Sequence, residues 1–311
     1  VDAALGQLDH LLGRAVGALS VLALSPAGAY TPGAGLEVAK YDRPGQGSVN
    51  SFLLIGPRSV VIVDCQRTSV EAAQVVAHAR GTGLPVEAIF LSHEHADHVT
   101  GLEVVHRAFP DAPILASEVT RDYAARSGRE LIGMMQGFFP GRVPDTLPVP
   151  TRALRPDERI TLAGAEWRVD QLGRGEASGM TLLYSEANDL LVTADLAGNR
   201  ATPWLLDGHT LEWIAQLEAA LPRYEGVGTA LPGHGAAAPA GVLIREQLDY
   251  LRTMERLVRA ELATATPLST EAAGRIRTAM DARFPGFPRV APPPNLIELN
   301  AAALAREIAA R

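Results

Sequence analysis

With 311 residues and 47 % apolar composition, the chain can bury one large core or two modest ones, and a disordered or membrane-embedded character is excluded. A formal net charge of −7 with no basic stripe argues against nucleic acid as the main partner. Cys65 is the single cysteine, so no intrachain disulfide can form, and no run approaches the roughly 18 apolar residues of a stable membrane span. The compartment stays open: the cytoplasm is preferred, with a secreted or periplasmic setting as the alternative.

Residues 1–24 place Leu5, Leu8, Leu12, Ala15 and Leu19 on one face, with Asp9, His10 and Arg14 largely off it, which predicts an N-terminal amphipathic helix. Reading 15–24 as the apolar part of a signal peptide is the weaker option, since a signal is ordinarily removed. Turn-forming clusters at 25–28 and 31–35 end the helix. Short β-like runs follow at 36–41, 49–55 and 59–63, the last two separated by Gly56 and Pro57. Residues 68–80 have helical periodicity, with Val70, Ala73, Val76 and Ala77 on the expected buried face. A strand at 86–90 completes what reads as a parallel βαβ unit.

Directly after that strand comes the densest chemistry in the chain: His93, His95, Asp97 and His98, in the order His-x-His-x-Asp-His. Imidazole nitrogen and carboxylate oxygen are what Zn, Fe and Mn accept. An apolar strand before and an apolar turn of helix at 102–105 put these residues on a loop at a strand's carboxyl end, where open α/β sheets build their sites.

Further on, 113–116 reads as a strand and 117–127 as a helix capped by Ser117. The glycine-rich stretch 133–141 reads as a loop whose Met134 and Phe138 can wall a pocket. Strands are expected at 152–154, 159–162, 166–172, 181–185 and 190–194, and the last closes on Asp195 as the 59–63 strand closes on Asp64. A helix at 210–221, a strand at 227–231 and a tight turn around Gly233, His234 and Gly235 follow. The remainder is helical at 243–264, 269–283 and 296–311, with a proline-rich link at 285–294. Two halves, each closing a strand on an acid, suggest two sheets with helices outside.

His93-x-His95-x-Asp97-His98, the segment 173–179 containing Glu176, Thr193-Ala-Asp195 and Pro232-Gly-His234-Gly together resemble the metallo-β-lactamase-fold hydrolase superfamily over roughly residues 36–235. The resemblance implies an α/β protein built as an αββα sandwich, which takes 25–240 here; the 1–24 helix precedes it, and the helical segment at 241–311 is expected to pack on it. It also implies a dinuclear metal centre, two divalent ions that are most often zinc, with Mn or Fe as alternatives. Carried over by position, His93, His95 and residue 176 hold one metal, Asp97, His98 and His234 the second, and Asp195 bridges them. Asp64 matches an acid that supports the histidine loop from the neighbouring strand, which ligating imidazoles need. Glu176 departs from the pattern, because most of the family has histidine there. A carboxylate still ligates, but it leaves the centre less positive and shifts preference from Zn toward Mn or Fe.

The implied reaction is hydrolysis of a small ester, lactone, thioester or lactam by a metal-bound hydroxide, with Asp97 orienting the water or moving its proton. Arg174, Asn199 and Trp204 are candidate pocket residues beside Met134 and Phe138. The expected partner is a small-molecule substrate, with homo-oligomerisation possible. Two other classes remain open here: a non-catalytic metal- or ligand-binding member, and an iron-dependent oxygenase of the same fold.

Overall fold

The computed structural model describes residues 35–43 and 45–311, and the backbone of 21–22. A seven-stranded sheet contains β1 (Val21–Leu22), β2 (Glu37–Tyr41), β3 (Ser51–Ile55), β4 (Val60–Val63), β5 (Val86–Phe90), β6 (Ile114–Ser117) and β7 (Arg152–Leu154), side by side in chain order. β2, β3 and β4 pair antiparallel, whereas β4 to β7 are parallel. Parallel neighbours need crossovers. These carry α1 (Ser69–Gly81), then α2 (Ala96–Val99) with α3 (Leu102–Ala108), then α4 (Glu118–Phe138).

The second sheet has the order β12-β11-β10-β9-β8, built from β8 (Arg159–Leu162), β9 (Ala165–Leu172), β10 (Met180–Ser185), β11 (Leu190–Ala194) and β12 (Thr229–Pro232). Its single parallel pair, β11 with β12, is bridged by α5 (Thr210–Tyr224). The chain ends in α6 (Ala240–Leu262), α7 (Thr270–Arg283) and α8 (Leu296–Ala309).

Side-chain alternation decides the layering. Along β4, Val61 and Val63 meet Phe90, Trp167 and Val192 between the sheets, while Val60 and Ile62 face Val75, Leu102 and Leu131 on the helices outside. A strand buried on both faces reads as one apolar run. On the far side, Leu182, Leu191 and Ala230 pack under Trp213, Leu243, Leu251 and Leu304 of α5, α6 and α8. The expected αββα sandwich is what forms.

Three local expectations change. The 1–24 helix lies outside the described residues apart from Val21–Leu22, and those two are strand, paired parallel with Val38 and Ala39. In α1 the buried face is Glu71, Ala72, Val75, Val76 and Ala79, leaving Val70 exposed. The small side chain of Ala72 decides this, because it packs against Gly101, where an added Cβ would lie 2.7 Å from it. Finally, α4 continues to Phe138, so 133–138 of the glycine-rich stretch is helix and not a loop. Leu131, Ile132 and Met135 continue the buried stripe, while Gly133 and Gly137 fall on the exposed side, at a cost of about 1 kcal/mol each relative to alanine.

Candidate metal centre

Both halves deliver their strand ends to one edge of the sandwich. β5 ends at Phe90, Leu91 N–H still donates to Leu115 O at 2.9 Å, and the chain then leaves the sheet. The single turn of α2 carries Asp97 and His98, with His95 at its N-cap. From the other sheet come Glu176 in the β9–β10 loop, Asp195 after β11 and His234 after β12. The histidine loop is tied to the β9–β10 segment by Thr181 N–H donating to Ser92 O at 2.9 Å and Ser178 N–H donating to Glu94 Oε1 at 2.8 Å.

Tight backbone makes this convergence possible. Asp64 and Ala194, at the ends of β4 and β11, have φ of 57° and 43°, the left-handed region that non-glycine residues enter at a cost. Gly233 has no alternative: a Cβ there would lie 1.9 Å from Asp195 Oδ1 and 2.7 Å from His98 Cε1. Asn50 clamps the same turn, its Nδ2 donating to Pro232 O at 2.7 Å and Gly235 O at 2.8 Å.

The ligand-type atoms fall into two sets. In one, Glu176 Oε1 is 2.9 Å from His95 Nδ1 and Glu176 Oε2 is 3.5 Å from His93 Nε2. In the other, Asp97 Oδ2 is 3.4 Å from His234 Nε2 and 3.9 Å from His98 Nε2. Asp195 lies between them, with Oδ2 3.5 Å from His98 Nε2 and 3.0 Å from His234 Nε2, and it also groups with His93 and His98. Atoms bound to one tetrahedral ion at ~2.0–2.2 Å lie about 3.3–3.6 Å apart, which is the spacing of several of these pairs.

Each imidazole has a partner for its other nitrogen. His93 Nδ1 is 2.9 Å from Ser92 Oγ, and His98 Nδ1 is 2.8 Å from Asp64 Oδ2, while Asp64 also accepts from Ser92 N–H and Oγ at 2.8 Å each. His234 Nδ1 donates to Ser48 O at 2.5 Å. His95 is turned the other way, Nδ1 inward and Nε2 3.1 Å from Asp207 Oδ2, and Asp207 accepts from Trp204 Nε1 at 2.8 Å. Such partners fix the tautomer that leaves the inward nitrogen with a lone pair.

Inward, the pairing stops. His93 Nε2, His98 Nε2, His234 Nε2, Glu176 Oε2 and Asp195 Oδ1 are buried with no hydrogen-bond partner. Buried polar atoms are ordinarily satisfied, so this donor set fits divalent cations.

The protonation behaviour shows the same frustration. Burial pushes the Glu176 carboxyl up to about 7 against the pull of His95. Burial and the neighbouring imidazoles His98 and His95 hold His93 well below the usual histidine range. Burial would also lower the other three. Glu176 and Asp207 nonetheless raise His95, Asp195 and Asp64 raise His98, and Asp195 with Asp97 brings His234 to about 9. Burial would raise Asp97, but the Arg67 guanidinium and His98 hold it far below the usual carboxylate range.

Of the residues expected to line a pocket, Trp204 joins Glu176, Asp195 and His234 in the wall of a small cavity, together with Pro203, Trp213, Gln247 and Val290. Asn199 turns its amide to Ala236 O at 2.7 Å. Arg174 is exposed, and its carbonyl accepts from Gln216 at 2.8 Å. Met134 and Phe138 lie on the exposed side of α4, outside that cavity wall, because the segment is helical. Sequence reasoning missed Arg67, Asn50, Asp207 and Gln247. Arg67, Asn50 and Asp207 lie far along the chain from the groups they serve and carried no local signal, while Gln247 is an amide on the buried face of α6.

A family model described as the metallo-beta-lactamase superfamily matches residues 44–265. A probable metallo-hydrolase of Streptococcus pyogenes serotype M6 is 24 % identical over 195 residues, 60 % of this chain and 78 % of that protein. A hydroxyacylglutathione hydrolase of Synechococcus sp. is 40 % identical over 73 residues, 23 % of this chain; only 27 % of that protein's length is spanned. Among solved structures, a beta-lactamase domain protein from Burkholderia ambifaria aligns with a TM-score of 0.63 at 19 % identity, covering 93 % of this chain and 90 % of that one. At such identity the likeness speaks for the fold alone.

Proposed function

Because the chain belongs to the metallo-beta-lactamase superfamily, we propose that it is a metal-dependent hydrolase acting on a small ester, lactone, thioester or lactam. In this reading it uses two divalent cations, zinc foremost, with Mn or Fe as alternatives. One observation carries the proposal: five buried ligand atoms face one another with no hydrogen-bond partner, and the histidines among them are held from behind through their other ring nitrogen. His93, His95 and Glu176 would hold one cation, Asp97, His98 and His234 the other, and Asp195 would serve both.

When bound, the cations supply Lewis acidity toward the scissile carbonyl oxygen and toward water. The chain's own residues do the rest. Asp97, held ionised by Arg67 and the imidazoles, would orient the attacking water, whose proton passes to solvent. Asp64, Ser92, Ser48 and Asp207 keep the imidazoles aimed inward. Trp204, Pro203 and Val290 form an apolar wall that excludes water and suits an acyl or ring group, with Asn199 and Arg174 further out. The hydrolase names of the curated relatives support this class of reaction.

The test combines metal analysis with a panel of chromogenic esters, lactones, thioesters and a cephalosporin. Two ions per chain are expected, with turnover of at least one acyl class that is abolished by chelation and restored by Zn²⁺. Glu176→His should raise zinc occupancy. Metal-replete protein inert toward the whole panel would favour a binding role instead. Iron retained in anaerobically purified protein, with oxygen uptake in place of hydrolysis, would favour the oxygenase.

A further inference from the structure

Past Asp64 the chain makes a second left-handed turn at Gln66, with φ of 69°, and this sends Arg67 inward. Arg67 is only 6 % exposed. Its Nη2 donates to Asp97 Oδ2 at 3.0 Å and to Val290 O at 2.8 Å, and its Nη1 donates to Gly47 O. The Asp97 oxygen it touches is the one that faces His234 Nε2 at 3.4 Å and His98 Nε2 at 3.9 Å. A guanidinium therefore shares an oxygen with two imidazole nitrogens that make no hydrogen bond and that Asp195 Oδ2 faces from the other side.

Carboxylates crowd this edge. Asp97, Asp195 and Glu176 lie among the inward-facing atoms, and Asp64 and Asp207 stand directly behind them. Among the described residues, Arg67 is the one arginine or lysine within salt-bridge distance of any of these acids. A buried cation is costly unless paired and fully hydrogen-bonded, and Arg67 has an acceptor on each of its terminal nitrogens. Its anchors are also specific. Gly47 is in the loop that supplies Ser48 to His234, and Val290 lies in the proline-rich link, which is itself bonded to Thr202.

We propose that Arg67 is a positioning residue for the metal centre: it fixes the Asp97 carboxylate beside His98 and His234 and offsets part of the negative charge that Glu176 adds to the cluster. The proposal rests on the metal-centre reading above. It differs from a purely structural role because its effect is confined to the ion held by the Asp97 set. Removing Arg67 should free Asp97 to rotate and weaken that ion, while the ion held by His93, His95 and Glu176 is little changed.

The experiment loads native protein, Arg67→Met and Arg67→Lys with Co²⁺ in single equivalents, following affinity by chelator competition and coordination by visible absorption. In Arg67→Met one equivalent should bind about tenfold or more weakly, within the range for residues that orient ligands, with an altered spectrum, while the other equivalent changes by less than about threefold. Arg67→Lys, which keeps the charge but loses the fork, should recover part of the affinity and still show an altered spectrum. Equal losses at both equivalents, or no loss at either, would overturn the proposal. If Arg67→Met does not fold, the lysine variant decides, and native affinity together with a native spectrum counts against Arg67. Should native protein bind no Co²⁺, the metal-centre reading fails first and takes this inference with it; native binding of two equivalents with an unaffected Arg67→Met sinks the inference alone.

Discussion

A histidine serves a cation only when its proton sits on the other nitrogen, and the four imidazoles here achieve this with four different acceptors. Ser92 Oγ, Asp64, Ser48 O and Asp207 each take one ring. Without a cation, the surrounding carboxylates raise His95, His98 and His234, the last to about 9. Binding must therefore expel protons, so affinity rises with pH across the neutral range. Chelator-competition titrations at pH 6 and pH 8 should show tighter binding at pH 8, with proton release in weakly buffered solution; equal affinities would contradict this assignment of protonation. The ligands in the 93–98 loop were legible because they are contiguous. Arg67 and Asp207 were not, since what makes them matter is a partner 30 and 112 positions away.

Elements were legible wherever burial was two-sided or strictly periodic. β4, β5 and β11 read as apolar runs because both their faces are covered. The face of α1 departs from the expectation because small residues carry the packing, Ala72 against Gly101, a close approach that hydrophobicity does not reveal. The length of α4 departs from it because Gly133 and Gly137 sit on the exposed side while Leu131, Ile132 and Met135 keep the buried stripe. The turn after β12 depends on the same property, since Gly233 has Asp195 and His98 where a side chain would go. Gly233→Ala should displace that turn, remove His234 from the cluster and lower the metal content by at least one ion per chain. Metal analysis of folded variant checks this; retention of the native content would show that the turn can yield.

At the scale of the whole molecule, the two-sheet layering followed from the order of strands and acids, and the αββα sandwich is built as expected. α6 and α8 share a core with the second sheet. α6 brings Gln247 to the cavity wall, and the 285–294 link pairs with the loop after Asp195 through Thr202. These long-range tethers had no local signature.

His93, His95, Asp97 and His98 hang from one sheet, whereas Glu176, Asp195 and His234 hang from the other. Any ion seated among them therefore acts as a rivet through the sandwich, and prying it out removes a link that spans the seam. Mass action converts that into heat resistance: at free metal 100-fold above the dissociation constant, one site adds about 2.7 kcal/mol. Stripped protein should melt several degrees earlier than loaded protein in scanning calorimetry, with the missing strength concentrated where the halves meet. Hydrogen exchange would locate it at the ends of β5, β11 and β12 rather than in the distant helices.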